Sequence, residues 1–386
     1  MFEFATVGRI VFGEGAVEQL PEIVRRYGRR VMLVVGSTRD RATDCAAAIE
    51  HAGCIVAWWQ VTREPTVEDV ADGLALVREH SAEVVVAMGG GSAIDAAKAI
   101  AAVATNDGHL LDYLEVIGKG LALVRPGLPC VAVPTTAGTG AEVTRNAVLD
   151  VPSHATKVSL RGEYLLPRVA LVDPLLTVSL PAAATAATGF DALAQVIEPF
   201  VSNRATPITD ALGRAGIERA AKSLRRAYQN GSDIVARHDM ALVSLWGGMC
   251  LTNARLGAVH GLAGPMGGQL HRPHGALCAA LLAPVMRANV EALRRRADGG
   301  ATLDRYVEIA RLVTGTSVAS AEDGIAWIDR LATELGVSQL AGLEITLAQR
   351  DDIVELALRA SSMQGNPVRL TTDEVSGIID CVLKVQ

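Results

Sequence analysis

The sequence predicts two domains of different class: an α/β domain over residues 1–180 and an all-α domain over residues 181–386. Up to about residue 180, short β-branched runs alternate with segments of helical spacing, which is typical of a mostly parallel sheet covered by helices. Beyond that point helical spacing dominates and strand-like alternation is absent. A length of 386 residues also agrees with two domains of ordinary size.

The first domain contains several apolar runs that predict buried strands. The runs RVMLVV and EVVVAM resemble parallel strands that are covered by helices on both faces. Segments of helical spacing lie between the runs, and Thr66 is the predicted N-cap of one of them. The predicted strands span residues 1–12, 30–35, 55–61, 83–88, 128–133 and 169–172. The predicted helices span residues 16–27, 43–52, 66–80 and 93–103.

The second domain is predicted to consist of helices only. Apolar residues recur there at helical spacing, with turn-forming residues between the segments. No internal repeat or low-complexity segment is present. The predicted helices span residues 182–200, 206–229, 235–255, 275–292, 302–314, 320–335, 347–362 and 372–384.

Composition excludes several classes of function. The net charge of −6 and the pI near 5.8 disfavour nucleic acid or an anionic membrane as a main partner. Six cysteines without a C-x-x-C pair favour reduced thiols in a cytosol over a disulfide framework. The N-terminus lacks the pattern of a signal peptide, and no run of eighteen uncharged apolar residues predicts a membrane span. We therefore expect a cytoplasmic protein.

A glycine-rich loop follows the predicted strand at 83–88. Gly89, Gly90 and Gly91 with Ser92 precede a helix, so backbone N–H groups and the helix dipole can favour a phosphate. A triple glycine alone is equally compatible with a tight turn. A second loop, PTTAGTG at 134–140, also follows a strand. Two such loops at strand ends predict the crevice where open α/β sheets bind cofactors.

Two further stretches predict the reactive centre, GFDALAQVIEPF at 189–200 and LGAVHGLAGPMGGQLHRPHGA at 256–276. Asp191 and Gln195 are four residues apart and share one helix face. Six glycines and prolines lie between His260 and His274, which places the two histidines on separate elements that can converge. A carboxylate, an amide oxygen and two imidazoles suit Fe, Zn or Mn. The alternative is that these are helix-surface or structurally satisfied polar residues.

Taken together, the motifs resemble those of the iron-containing (group III) alcohol dehydrogenases, nearly from end to end. The resemblance implies a Rossmann-like N-terminal domain and a helical C-terminal domain, in a dehydroquinate synthase-like architecture. The matching motifs are FGEGA at 12–16, GGGSAIDAAK at 89–98, PTTAGTGAEVT at 134–144, Lys157, LVDP at 171–174, GFDAL at 189–193, VHGLAGP at 259–265, PHG at 273–275 and Asn366-Pro367.

The resemblance also implies an activity and its cofactors. Hydride would pass between NAD or NADP and a small alcohol or carbonyl substrate, in a homo-oligomeric enzyme. A divalent metal, iron or alternatively zinc, would act as the Lewis acid that holds the substrate oxygen. By position, the metal ligands would be Asp191, Gln195, His260 and His274. The cofactor-binding residues would be Gly36, Ser37, Gly89, Gly90, Gly91, Ser92, Asp95, Thr135, Thr136, Thr139 and Lys157.

Two departures from the family concern the metal and proton transfer. Gln195 stands where the family usually has a histidine ligand, and an amide oxygen is the weaker ligand for late divalent metals. We therefore expect lower affinity, altered selectivity or no bound metal. Gly264 stands where the family has a histidine for proton transfer. We predict that His271 replaces it and acts catalytically with His260, the alternative being that His271 is an exposed loop residue.

A third departure concerns the nucleotide. The family often has an aspartate after the second strand, where it binds the adenosine ribose and repels a 2′-phosphate. The corresponding stretch here, 35–39, has no acidic residue, and Arg39 and Arg41 are close. We predict that NADP(H) is tolerated or preferred.

Other functions stay open at this stage. Arg145 and Arg272 could pair with an anionic substrate, as in the related maleylacetate reductases, which would act without a metal. The loss of histidine at positions 195 and 264 also allows a catalytically silent cofactor-binding protein. Activity after chelation separates the first alternative from a metal-dependent alcohol dehydrogenase, and cofactor binding without turnover would indicate the second.

Overall fold

A computed structural model describes residues 1–114, 117–154, 156–296, 299–337, 340 and 343–386. The chain divides into two compact units, which we call the α/β unit and the helical unit. The α/β unit comprises Thr6–Thr136 and Gly140–Thr177, and the helical unit comprises Met1–Ala5, Ala137–Thr139 and Val178–Gln386. The short insert Ala137–Thr139 is the middle of the second predicted cofactor loop.

The α/β unit is built on a six-stranded parallel sheet of order β1-β8-β5-β4-β2-β3. Strands β6 and β7 form a separate, two-stranded antiparallel sheet. The strands are β1 Arg9–Phe12, β2 Arg30–Val35, β3 Ile55–Gln60, β4 Val84–Gly89, β5 Cys130–Pro134, β6 Asn146–Val151, β7 Thr156–Arg161 and β8 Val169–Val172. The helices are α1 Leu20–Arg25, α2 Thr43–His51, α3 Val67–His80, α4 Gly91–Val103 and α5 Leu110–Tyr113.

Alternation along the central strands explains why both faces of this sheet are covered. In β2, Met32 and Val34 pack into one apolar cluster with α3 and α4, whereas Leu33 and Val35 pack into another with α1 and α2. Successive side chains of a strand point to opposite faces, so an uninterrupted apolar strand requires helices on both sides. This arrangement leaves the carboxyl ends of the strands free for loops that bind ligands.

The helical unit has one apolar core, to which α6 and α10 contribute residues along most of their lengths. A parallel pair of two-residue strands, β9 Glu344–Ile345 and β10 Lys384–Val385, joins its C-terminal part. The helices are α6 Ala182–Val201, α7 Pro207–Gln229, α8 Ile234–Ala254, α9 Ala258–Leu270, α10 His274–Arg295, α11 Gly300–Thr314, α12 Ala321–Glu334, α13 Leu347–Arg359 and α14 Thr372–Val382.

The predicted fold class is confirmed; besides the four-residue helix α5, which was not predicted, there are three differences in detail. The hairpin of β6 and β7 was not predicted, and the strand pair of β9 and β10 adds β-structure to the domain predicted to be all-α. The third difference is α9, which runs through Pro265 and several glycines that were expected to break helices. Its interior glycines are tolerated because packing in the core outweighs their low helix propensity.

One helix, α10, is long and apolar enough to cross a membrane by length and composition. Within the structure, 72% of its most apolar window is buried inside the chain, which is the pattern of a core helix.

Candidate active site

Four side chains with metal-binding atoms meet inside the helical unit. Asp191 lies on α6, His260 on α9, and His274 and Cys278 on α10. One donor atom from each lies within 4.8 Å of every other. Asp191 Oδ1 is 3.1 Å from His260 Nε2 and 3.8 Å from His274 Nε2. We call this group the four-donor cluster.

The spacing of the donors agrees with a bound divalent cation. Metal–nitrogen and metal–oxygen distances near 2.0–2.2 Å in a tetrahedral site place the ligand atoms about 3.3–3.6 Å apart. The two distances from Asp191 Oδ1 to the imidazoles lie close to this range. Asp191 is 3% exposed, and a buried carboxylate beside two imidazoles is the kind of donor set that Fe or Zn takes. The residues present therefore suit the metal that the sequence predicts.

A glycine explains how His274 comes close to Asp191. Gly275 is the second residue of α10, and a Cβ atom at this position would lie 2.2 Å from the Ala187 carbonyl oxygen of α6. Only glycine permits such a close approach of the two backbones. The Pro-His-Gly motif thus starts α10 against α6 and presents the imidazole to the cluster.

A second carboxylate, which the sequence analysis missed, orients His260. Glu198 accepts a hydrogen bond from His260 Nδ1 at 2.5 Å and another from the Val259 N–H at 2.7 Å. A proton on Nδ1 leaves the Nε2 lone pair directed at the cluster, which is the usual outer-shell arrangement of a metal-binding histidine. Glu198 lies seven residues after Asp191 on α6, so the spacing along one helix face could have indicated it.

Gln195 faces the cluster with its amide nitrogen. Its Nε2 donates to Asp191 Oδ1 at 3.1 Å and to the Gly138 carbonyl at 3.4 Å. Its Oε1 is buried and has no hydrogen-bond partner among the described residues. Both neighbours of Nε2 are acceptors, so exchanging the amide O and N would bring oxygens against oxygens. The role of Gln195 as a metal ligand stays a prediction.

Electrostatics in the cluster favour charged side chains. Burial opposes ionisation of Asp191, but the hydrogen bond from His260 and the charge of His274 outweigh it and lower its pKa to about 2. The Cys278 charge raises the pKa of His274 to about 9. Burial opposes ionisation of the Cys278 thiol, and the imidazoliums of His274 and His260 lower its pKa in spite of this. Each of these shifts favours the charged form of the side chain when no metal is bound.

The predicted proton-transfer residue, His271, lies outside this cluster. It is exposed, follows the last residue of α9 and adopts a left-handed conformation with φ of 51°. Gly264, where the family has a histidine, is exposed, and a Cβ atom there would meet nothing within 4 Å. The catalytic role of His271 stays a prediction.

In the α/β unit, the predicted phosphate loop lies between β4 and α4. Gly89 ends the strand, and a Cβ atom on it would lie 2.7 Å from Ala93 Cβ and 3.0 Å from the Gly36 nitrogen. Gly90, the N-cap of α4, has no side chain to bond the first N–H groups of the helix. Those groups suit a phosphate ligand, as predicted from the sequence.

The neighbouring strand ends carry other predicted cofactor residues. The Gly36 N–H donates to the Met88 carbonyl at 3.3 Å, and the Thr135 N–H donates to the Gly89 carbonyl at 2.9 Å. These two bonds tie the ends of β2, β4 and β5 together. Ser37 is exposed beside Gly36, Thr136 is half-buried, and Thr139 belongs to the short insert of the helical unit.

Asp95 and Lys157 have protein partners that compete with the predicted cofactor contacts. Asp95 accepts hydrogen bonds from Lys98 Nζ at 3.2 Å and from the Val148 N–H at 3.1 Å. Lys157, on β7, forms an ion pair with Glu64. Both contacts give a structural reason for these side chains, and their contacts with a cofactor stay predictions.

Comparison with known proteins identifies the family. The model of the iron-containing alcohol dehydrogenase family matches residues 8–174, and the model of its C-terminal part matches residues 185–383. The chain belongs to the iron-containing alcohol dehydrogenase family. The 1,3-propanediol dehydrogenase of Klebsiella pneumoniae is 36% identical over 98% of both chains. The NAD-dependent methanol dehydrogenase of Bacillus methanolicus is 33% identical over 96% of both chains.

Solved structures of the family have the same fold. A crystal structure of a 1,3-propanediol oxidoreductase matches with a TM-score of 0.91 and 34% identity, covering 99% of this chain and all of the other. The predicted family, enzyme class and cofactors are thereby confirmed. The chain is an NAD(P)-dependent alcohol dehydrogenase that uses a divalent metal such as iron.

Proposed function

We propose that the enzyme interconverts a short-chain primary alcohol and its aldehyde, with the metal bound at Asp191, His260 and His274. The observation that carries this proposal is the convergence of these three donors from three helices. The choice of a short-chain primary alcohol is supported by the 1,3-propanediol dehydrogenase, which resembles this chain over nearly its whole length.

Each of the three residues has a distinct task in this proposal. Asp191 supplies a negative charge that offsets the charge of the cation in a buried place. His260 is held in one tautomer and one orientation by Glu198. His274, whose side chain is 40% exposed, stands at the accessible edge of the cluster. A divalent metal held there supplies Lewis-acid polarisation of the substrate oxygen, which eases hydride transfer at the adjacent carbon.

The loops at the strand ends of the α/β unit are proposed to hold the nicotinamide cofactor. The first N–H groups of α4 would bind the pyrophosphate through Gly90, Gly91 and Ser92. Gly36 and Ser37 would lie by the adenosine ribose, and the remaining predicted residues keep their sequence-based roles. These are Gly89, Asp95, Thr135, Thr136, Thr139 and Lys157.

The preference for NADP(H) also remains a proposal. Arg39 stacks on Trp58, with its guanidinium carbon 4.2 Å from the ring centroid. An arginine fixed beside the end of β2 would favour a 2′-phosphate on the ribose. The ratio of kcat/KM with NADPH and with NADH tests this idea, and the variant Arg39→Ala should lower the NADPH value only. A strong NADH preference in the unmodified enzyme would contradict it.

A substrate panel tests the proposed function. Oxidation of methanol, ethanol, propane-1,3-diol and a long-chain alcohol would be followed by NAD(P)H absorbance, with and without prior chelation. We expect the highest kcat/KM with a short-chain alcohol, loss of turnover after chelation, and recovery when Fe(II) or Zn(II) is restored. Chelator-resistant reduction of an anionic carbonyl such as maleylacetate, with no alcohol oxidation, would overturn the proposal.

The cellular setting is proposed from the composition of the chain and from its family. The acidic charge balance and the cysteine pattern agree with a cytoplasmic homo-oligomer whose partners are small molecules. Size-exclusion chromatography with light scattering measures the oligomeric state directly, and a monomer would contradict this part of the proposal.

A further inference from the structure

We infer that the Cys278 thiolate, and not the Gln195 amide, is the fourth protein ligand of the metal. This inference rests on the proposed metal-dependent function and names a ligand that the resemblance does not imply. The family pattern has a histidine at position 195, so this chain has lost one imidazole from a set of four ligands. A cysteine that the sequence analysis did not consider stands in the same cluster.

The geometry of the thiol is that of a ligand. Cys278 Sγ lies 3.6 Å from His274 Nε2, 3.9 Å from His260 Nε2 and 3.7 Å from Asp191 Oδ1. With metal–sulfur distances near 2.3 Å and metal–nitrogen distances near 2.0 Å, a tetrahedral site separates these atoms by about 3.5 Å. One ion can therefore contact all four atoms after small side-chain adjustments.

The helix fixes the thiol in this place. Cys278 follows His274 by four residues on α10, so both side chains lie on one face of the helix. Cys278 is fully buried, and Gly275 holds this end of α10 against α6, which carries Asp191. Buried cysteines ordinarily lie among apolar side chains, whereas this thiol is surrounded by two imidazoles and a carboxylate.

Gln195 is arranged as a hydrogen-bond donor. Two acceptors, Asp191 Oδ1 and the Gly138 carbonyl, lie within reach of its Nε2. A carboxamide coordinates a metal through its oxygen, which here is turned away from both acceptors. The amide instead holds the Asp191 carboxylate, in the way that outer-shell partners orient a metal-binding carboxylate.

The exchange of ligands has a chemical consequence. A thiolate is a softer donor than imidazole and favours zinc or iron over manganese and magnesium. Because a metal takes the thiolate and the unprotonated imidazole nitrogens, protons held by the cluster are released to solvent when the metal binds. The site therefore keeps four protein donors while its preference moves toward softer cations.

Cobalt substitution tests the inference on the full-length protein. Chelator-treated enzyme would be titrated with Co(II) and its absorption spectrum recorded, because a thiolate ligand adds a sulfur-to-cobalt charge-transfer band in the near ultraviolet. We expect this band in the unmodified enzyme, in Gln195→Ala and in the control Cys381→Ser, an exposed cysteine outside the cluster. We expect its loss in Cys278→Ser, with a fall in Co(II) affinity of more than tenfold.

Two further measurements keep the test independent of folding. X-ray absorption of the zinc-loaded, unmodified enzyme should show one sulfur scatterer at about 2.3 Å. The double variant Cys278→Ala/Gln195→His should recover metal binding without the charge-transfer band, since an imidazole replaces the sulfur. Stoichiometric metal without a sulfur scatterer, or a band that persists in Cys278→Ser, would overturn the inference.

Failure of the inferred sulfur ligand can be distinguished from failure of the proposed function. A sulfur ligand in an enzyme that oxidises no alcohol would support the inference and contradict the proposed function. Chelator-sensitive alcohol oxidation by an enzyme whose metal has no sulfur ligand would overturn the inference alone.

Discussion

The functional regions of the two units are built from different parts of the chain. The loop of the α/β unit uses backbone groups that lie next to one another in sequence, from Gly89 to Ser92. The cluster of the helical unit uses side chains from three helices, separated by as many as 87 residues between Asp191 and Cys278. The loop of the α/β unit therefore depends on glycines, which lack side chains, whereas the cluster of the helical unit depends on the identity of each side chain.

Buried acids behave in opposite ways in the two units. Asp191 is surrounded by proton donors, and its pKa is lowered to about 2. Burial raises the pKa of Glu142, in the α/β unit, to about 7, although a hydrogen bond from its own backbone and the charge of Lys98 oppose this. A buried carboxylate is held as an ion only where its neighbours outweigh desolvation. Asp191 is thus held as an ion that can bind a metal, whereas Glu142 lowers the stability of the folded protein at neutral pH.

The largest effect is expected from Asp191→Asn. The change keeps the shape but removes the only carboxylate of the four-donor cluster, so the cation loses one of its negatively charged partners. We expect loss of bound metal and a fall in kcat/KM of roughly a thousandfold. Metal analysis and steady-state kinetics measure the two effects. NAD(P)H binding by fluorescence should stay unchanged, and normal turnover by the variant would refute the assignment.

Glu142→Gln should stabilise the protein in a pH-dependent way. Below pH 4.5, the usual pKa of glutamate, both folded and unfolded chains hold the proton, so the variant has no advantage. As pH rises toward 7, the unfolded chain ionises first, which lowers the stability of the unmodified protein. The variant should gain up to about 3 kcal/mol above pH 7.

Urea unfolding at pH 4 and pH 8 measures this gain. Glu163→Gln, an exposed position in the same unit, is the matched control. Equal stability of Glu142→Gln and the unmodified protein at pH 8 would show that folding does not raise the pKa of Glu142, contrary to the expected direction.

Glu198→Gln tests how the helical unit orients the metal-binding residue His260. The amide keeps the size but is a poorer acceptor for His260 Nδ1–H and for the Val259 N–H in the first turn of α9. We expect metal affinity to fall by about 10- to 100-fold, the usual cost of losing an outer-shell partner. Competition with a chromogenic chelator measures it, using the exposed Glu218→Gln as the control. An unchanged affinity would mean that Glu198 only caps the helix.

Gly89→Ala should give an effect that is confined to the α/β unit. The added Cβ would meet the Gly36 nitrogen at 3.0 Å and Ala93 Cβ at 2.7 Å, so β4 and α4 must shift. We expect a loss of about 1–3 kcal/mol in stability and weaker NAD(P)H binding, with metal content unchanged. Gly8→Ala, where the nearest atom is 3.6 Å away, is the control. Loss of metal in Gly89→Ala would contradict the separation of the two regions.

The sequence predicted the elements that depend on local patterns better than those that depend on tertiary packing. Strand β2 at 30–35 and helix α3, with its Thr66 cap bonded to Asp69, depend on local patterns and were predicted closely. Helix α9 was missed because its stability comes from burial of residues such as Met266 in the core, which overrides local propensity. The hairpin of β6 and β7 lacked a strong apolar run, since one side of it is partly exposed.

The site was predicted in part for the same reason. Asp191, His260 and His274 were predicted from their spacing and from motifs that resemble a family, and the structure brings them together. Cys278 was not found, because a single cysteine in an apolar helix indicates nothing until its neighbours are known. The orientation of the Gln195 amide depends on the Gly138 carbonyl, 57 residues away in sequence, and no local pattern reports it.

The most direct test of the account is a crystal structure grown with Zn(II), with an anomalous difference map at the zinc edge. We expect one strong peak within about 2.0–2.4 Å of the donor atoms of Asp191, His260, His274 and Cys278. A peak bound by the Gln195 oxygen in place of the Cys278 sulfur would contradict the ligand assignment. An active enzyme with no peak at this cluster would contradict the metal centre itself.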